Sequence, residues 1–209
     1  DECGVCDGDN SSCSDCGDDD FLVPSTLKKC AIFLDNNLDY SNCHGNGLCI
    51  KMKDDPLHGK IQVASEYRLL GNESDDPHIR IYDYLSNYWP MWSVRRVDEF
   101  KETLRLLKNI PTESIREITM GCVPIIQGKT KLLDELYVVR QVHDNRFENP
   151  GLIKAFLLDG WHASYKEMYR IITNEIEMIT TTNKSKLDTF VQQGFVNYYS
   201  AGIKYRLCK

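Results

Sequence analysis

Two Cys-x-x-Cys pairs, Cys3 with Cys6 and Cys13 with Cys16, open this chain among eight carboxylates and no Lys, Arg or His. Residues of these types at this spacing support three chemistries. Paired thiols close disulfides, four thiolates hold zinc tetrahedrally, and a single Cys-x-x-Cys can exchange electrons. Only six residues separate the pairs, fewer than the roughly 15–20 of a two-pair zinc site. The surrounding carboxylates suit a hard cation better than one bound by thiolates. A redox pair sits at a helix N-terminus, and no helix is predicted to follow. Disulfides are therefore the first expectation, zinc the second and redox exchange the third.

Cys30, Cys43 and Cys49 bring the first quarter to seven cysteines, and Cys122 and Cys208 lie far downstream. Dense cysteines where apolar residues are missing are how small extracellular modules replace a core. The pairing stays open. Nine cysteines leave one thiol free or joined to another chain, and Cys122 with Cys208 is one choice that would tie the C-terminal end to the rest. Glycosylation sequons at Asn10, Asn72 and Asn183 agree with an extracellular setting. Asp7, Asp9, Asp15, Asp18 and Asp20 offer oxygen ligands for calcium. A solvated acidic face is the competing expectation, because the Asp-x-Asp-x-Asp-Gly order is absent. Calcium is the one cofactor this composition suggests, and no cofactor is the alternative.

Asp1-Glu-Cys-Gly-Val-Cys-Asp-Gly-Asp-Asn-Ser-Ser-Cys resembles a Cys-Gly-Val-Cys-x-Gly-Asp-x-Ser-x-Cys spacer that recurs in extracellular multidomain proteins. These include secreted metalloproteases carrying thrombospondin motifs and large surface proteins of protists, algae and bacteria. The resemblance covers residues 1–16 and implies a location rather than an activity. No His-Glu-x-x-His follows. The aspartate-and-cysteine alternation is also similar to thrombospondin type 3 repeats, which bind calcium. Cys43-His-Gly-Asn-Gly-Leu-Cys49 is similar to the Cys-x5-Cys turn of epidermal growth factor-like modules. The absence of cysteine from residue 50 to 121 rules out a whole module and leaves a local disulfide loop.

For catalysis the five histidines, His44, His58, His78, His143 and His162, have no partner at a telling distance. There is no Gly-x-Ser-x-Gly elbow, phosphate-binding glycine loop or helical His pair. Tyr88-Trp89-Pro90-Met91-Trp92 is a dense aromatic knot, read first as a core corner. In a second reading Tyr88, Trp89 and Trp92 line a sugar or peptide groove, since flat rings stack on apolar faces.

The elements that must position these residues follow from periodicity. The chain has 42% hydrophobic and 27% charged residues, which suits a globular domain. Its net charge of −6 is unevenly spread: the first twenty residues carry −8, and residues 21–209 carry 23 acids against 25 bases, or +2. No basic block exists, which argues against nucleic acid, and no run is apolar enough to span a membrane. A chain starting at Asp1 looks like a mature or excised product.

Residues 1–20 predict neither helix nor strand. Leu27 to Leu34 is a helix or a strand, and Asp35 to Asp55 is turn-rich. Lys60–Leu70 and His78–Leu85 predict an antiparallel hairpin. Helices are predicted from Val97 to Lys108, from Ser114 to Gly121, around Leu132 to Val139, from Asn149 to Gly160, and from Ser164, with Glu167 as a capping box, towards Thr180. Phe195–Tyr199 and Ile203–Leu207 predict a terminal hairpin.

The expected fold is α+β. A helical second half packs with antiparallel hairpins, preceded by an irregular disulfide-rich segment. The divisions are an acidic spacer at 1–20, a disulfide-stapled loop region at 21–58 and a globular domain at 59–209. The expected function is a secreted or surface-exposed structural or adhesive module with protein partners in an extracellular assembly. The competing class is a secreted hydrolase with a site near His78, Trp89, Trp92 and His162. A zinc-folded intracellular protein is the third.

Overall fold

The structure is a computed structural model that describes residues 12–14, 20–53, 59–87, 93–141, 157, 159–180 and 184–207. The expected α+β class holds, and the chain divides into two compact units, each described on its own.

The first unit comprises Asp1–Gly71, Trp92–Val97 and Thr130–Glu148. Its sheet contains β1 (Ser12–Ser14), β2 (Asp20–Leu22), β3 (Tyr40–Lys53), β4 (Lys60–Tyr67), β5 (Val94–Arg96) and β6 (Lys129–Gln141). The strand order is β1-β5-β3-β6-β2, with β4 paired to β3 off that path. Helix α1 (Pro24–Asn36) lies against β3 and β5. Proline near its start is compatible with a first turn that needs no N–H, and Thr26, Cys30 and Leu34 recur every four residues on its buried face. The Thr26 hydroxyl donates to the Leu136 carbonyl at 2.7 Å. At the other end the Arg96 guanidinium donates to the carbonyls of Leu34 at 2.6 Å and Tyr40 at 2.8 Å, placing a cation where the helix dipole favours one.

The second unit comprises Asn72–Met91, Asp98–Lys129 and Asn149–Lys209. It contains α2 (Pro77–Ser86), α3 (Val97–Leu106) with a 3-10 turn at Leu107–Asn109, α4 (Glu113–Gln127), α5 (Trp161–Ile179) and α6 (Lys184–Leu207). Helix α2 packs against α4 and α6, and α4 against α5. Ile81, Tyr84 and Leu85 from α2 are fully buried, as are Cys122, Val123 and Ile126 from α4, Met168, Ile172 and Ile176 from α5, and Leu187 and Val191 from α6. Among the described residues no helix is long and apolar enough to cross a membrane.

Several expected elements differ. His78–Leu85 is helical rather than half of a hairpin. Asp76 caps that helix by accepting from the His78 amide at 2.9 Å, and Pro77 follows at the first helical position, so Asp-Pro starts a helix instead of marking a turn. Strand β4 pairs with β3, and Tyr40–Lys53, the larger part of the stretch expected to be turn-rich, is that 14-residue strand. Leu132 to Val139 belongs to β6, where the buried pattern does not keep helical spacing. Phe195–Tyr199 and Ile203–Leu207 lie in one continuous helix, because Leu187, Val191 and Phe195 repeat every four residues on a buried stripe.

Two helix ends also move. Helix α4 runs through Gly121 to Gln127. Helix α5 begins at Trp161 after a left-handed Gly160 with φ 77°, so Ser164 and Glu167 are not its capping box. Ser164 instead accepts from the Thr112 amide at 3.0 Å and donates to the Thr112 hydroxyl at 2.9 Å. Short strands occur at Ser12–Ser14 and Asp20–Leu22 within the stretch expected to have none. The helix expected between Asn149 and Gly160 lies largely outside the described residues. The helix beginning at Val97 holds as expected.

Candidate interaction face and buried thiol pair

The register of the β3–β4 hairpin determines what each of its faces carries. Leu48 lies opposite Glu66, Ile50 opposite Ala64 and Met52 opposite Ile61. Cys49 lies opposite Ser65, Lys51 opposite Val63 and Lys53 opposite Lys60. Opposed residues share a face and neighbours along a strand alternate. One face therefore carries Leu48, Ile50, Met52, Ile61 and Ala64 with Glu66 at its end, and the other carries Lys51, Lys53 and Lys60 with Cys49, Val63 and Ser65. The register shifts between Lys51 and Met52, leaving Gln62 as the extra residue. Without that bulge Ile61 would fall on the lysine face.

Seven consecutive residues of β4, Lys60 to Glu66, are exposed on both faces. Ile61 retains 61% of its accessible surface and Val63 52%. Among the described residues β4 pairs with β3 alone. Its outer edge takes no further strand among those residues and lies next to an apolar surface, a combination that recruits further strands.

Strand β3 also places Cys43 and Cys49. They lie six residues apart on one continuous strand, hence about 20 Å apart at roughly 3.3 Å per residue. A disulfide needs Cα atoms within about 7 Å, so the local Cys43–Cys49 loop expected from the growth factor-like spacing does not form. Cys43 instead meets Cys30 from α1. Both are completely buried, and their thiols lie close enough to influence each other. That proximity, with burial second, pushes the Cys30 thiol far above its ordinary value. Cys122 is buried in α4, and burial pushes its thiol up as well. No S–S bond joins Cys30, Cys43, Cys49 or Cys122 in this structure. Cys3, Cys6, Cys16 and Cys208 lie outside the described residues, and of Cys13 only its place in β1, opposite Arg95, is described.

The other expected site residues are scattered. Asp7, Asp9, Asp15 and Asp18 are outside the described residues. Asp20 is engaged by Arg140, whose Nε donates to its two carboxylate oxygens at 3.0 and 3.1 Å. No cluster of three or more potential metal ligands occurs among the described residues. Asn10 and Asn183 are also outside them. Asn72 is buried, and its side-chain amide donates to the Arg80 carbonyl at 3.3 Å.

Tyr88, Trp89, Trp92, His58 and His143 cannot be placed, being outside the described residues. His78 is buried and its Nδ1 is 2.7 Å from Asp76. Its Nε2 is enclosed without a hydrogen-bond partner, and its ring lies 6.2 Å from that of Phe190. A histidine–carboxylate pair is a frequent catalytic component, but a base needs its reactive nitrogen within reach of a substrate. His162 is exposed at the start of α5.

His44, expected within the turn-rich stretch Asp35 to Asp55, lies buried on β3. Its Nδ1 is 3.1 Å from the Gly45 carbonyl and its Nε2 3.1 Å from that of Leu70. Sequence reasoning missed an open groove of about 690 Å³ in the second unit, lined by Leu104, Leu107 and Met120 among Arg105, Lys108, Glu113, Arg116 and Glu117. Helical spacing held the signal for both of its walls. No family model and no curated protein matches the chain.

Proposed function

We propose that this chain is a secreted or surface-exposed structural or adhesive module, built into an extracellular assembly through its β3–β4 hairpin. The observation that carries the reading is the apolar face of Leu48, Ile50, Met52, Ile61 and Ala64 beside an edge of β4 that pairs with no further strand among the described residues. An apolar face and a strand edge are each self-complementary, so the partner is a second copy of the chain that brings its own hairpin. Strand addition would supply main-chain hydrogen bonds, and the apolar side chains would be removed from water.

The extracellular setting is supported by the acidic cysteine-rich start, residues 1–20, and by its resemblance to spacers of extracellular multidomain proteins. That segment, which gives strand β1 to the sheet of the first unit, is read as disulfide-linked, with calcium as its one suggested ligand.

Sedimentation velocity of the full chain over a range of concentrations tests the docking. Self-association should be visible at tens of micromolar and should be lost in Met52→Lys/Ile61→Lys, with the circular dichroism spectrum unchanged. A wild-type chain that stays monomeric at several hundred micromolar, or a variant that associates equally well, would overturn the reading.

A further inference from the structure

We infer that Cys30 and Cys43 form a disulfide that fastens α1 to β3. The two residues come from the elements that make up the helix-on-sheet layer of the first unit. Cys30 is the middle member of the buried stripe Thr26, Cys30 and Leu34. Cys43 lies where β3 passes β5, opposite Val94. Both side chains are completely buried on elements that pack against each other, and the two thiols are close enough to influence each other.

The other cysteines on these elements are poor competitors. Cys49 is on the same strand about 20 Å beyond Cys43, and only one of the two can be next to Cys30. Among the described residues no other cysteine lies on α1.

The chemistry is a thiol–disulfide exchange with a small-molecule disulfide such as glutathione disulfide. A thiolate of one cysteine attacks the oxidant, releasing one glutathione thiol and leaving a mixed disulfide. The second cysteine displaces the other glutathione. Cys30 and Cys43 together lose two protons and two electrons, one S–S bond forms, and the glutathione S–S bond becomes two thiols.

Burial sets the timing of this exchange. An exchange needs a thiolate and an open approach, and the folded unit offers neither at Cys30. The bond therefore forms while α1 is still settling on the sheet and is afterwards sheltered from reductants. This inference does not rest on the hairpin docking proposed above, since the pair is inside the unit and the hairpin face is outside it.

The test is to refold the full chain from its reduced, denatured state in a buffer of glutathione and glutathione disulfide. Remaining thiols are blocked with N-ethylmaleimide in denaturant, and the chain is cut before aspartate. Cleavage before Asp20, Asp35, Asp39 and Asp54 separates Cys30, in residues 20–34, from Cys43 and Cys49, in residues 39–53.

The expected product is a cross-link between these two fragments that persists in Cys49→Ser and disappears in Cys43→Ser. The oxidised chain should melt roughly 6–12 °C above the reduced one, from the loop closed by the bond. Recovery of both wild-type fragments separately and fully alkylated would overturn the inference whatever the variants do. So would a cross-link that survives Cys43→Ser.

Discussion

Arg80 caps Ile126. From α2 its Nη2 donates to the Ile126 carbonyl at 2.6 Å, and its Nε donates to the Ile125 carbonyl at 2.7 Å. These are two of the last four carbonyls of α4, which have no partner inside their own helix. The neighbouring Pro124 carbonyl takes the Gly128 amide at 3.1 Å. The same guanidinium reaches back to the Ser74 carbonyl at 2.8 Å, so one side chain joins the start of α2 to the end of α4.

Arg80→Ala leaves those carbonyls in a place closed to water, and the expected loss is about 2–4 kcal/mol of unfolding free energy. Arg80→Lys should restore less than half of it, because an ammonium lacks the planar fork that serves two acceptors at once. Urea titrations followed by circular dichroism provide the measurement. A loss below about 0.5 kcal/mol would mean that water reaches the end of α4.

Gly121 and Tyr84 provide a second test. A Cβ built on Gly121 would lie 1.8 Å from the Tyr84 hydroxyl oxygen and 2.6 Å from the ring carbon that carries it. Alanine ordinarily stabilises a helix interior by about 1 kcal/mol over glycine. Here the overlap should reverse the sign, and Gly121→Ala should cost about 1–3 kcal/mol. Tyr84→Phe removes the nearest atom. The double variant should therefore be more stable than the sum of the two single effects, as read from denaturant midpoints.

Gly121 also shows why parts of the fold could not be read from the sequence. Glycine late in a helical pattern is a common stop signal, but here it is needed mid-helix because an aromatic ring from another helix crosses it. Asp76-Pro77 is locally ambiguous between a turn and a helix start. The β-branched Ile79 and Ile81 favour a strand, while Ile81, Tyr84 and Leu85 keep helical spacing. In β6 the apolar residues fell at helical intervals, although the residues buried deepest are Thr130, Tyr137 and Val138.

The helix from Val97 and the body of α5 were legible because each has one long amphipathic pattern. The hairpin face was not, since it depends on a one-residue bulge at Gln62. The Cys30–Cys43 contact was not legible either, because it exists only after a helix and a strand meet.

Asp20, Arg140 and Tyr67 form a third cluster. Arg140 binds Asp20 through Nε, donates through Nη1 to the Tyr67 hydroxyl at 2.9 Å, and lies 5.0 Å from the centre of the tyrosine ring. Asp20→Asn leaves a mostly buried guanidinium short of its counter-charge and should cost about 3 kcal/mol.

Burial, opposed by Arg140, pushes the Tyr67 hydroxyl up to about 12. Between about 10, where an unfolded tyrosine ionises, and 12 the unfolded chain holds fewer protons than the folded one. Stability should therefore fall as pH rises through that window. The delayed part of the phenolate absorbance at 295 nm should lose one tyrosine's step in Tyr67→Phe.

His44 provides the acid counterpart. Its ring is buried in β3 with a carbonyl facing each nitrogen, those of Gly45 and Leu70. A neutral imidazole donates one proton and so satisfies one of them, whereas an imidazolium satisfies both at the cost of a buried charge. Burial is the larger influence and holds the pKa below its ordinary 6.5, with the two carbonyls pulling the other way.

The unfolded chain therefore binds a proton at His44 before the folded one does. The resulting stabilisation is fully present above about 6.5 and is lost as pH falls from there towards the folded pKa. The first unit should accordingly become easier to unfold in urea between pH 7 and pH 5. His44→Gln retains a donor for one carbonyl and should flatten that slope. The His44 ring resonances should remain those of the neutral form at pH 6, where a histidine in an unfolded peptide, with a pKa of about 6.5, is largely protonated. Half-protonation of His44 at or above pH 6.5 would show that the paired carbonyls, rather than burial, set its charge.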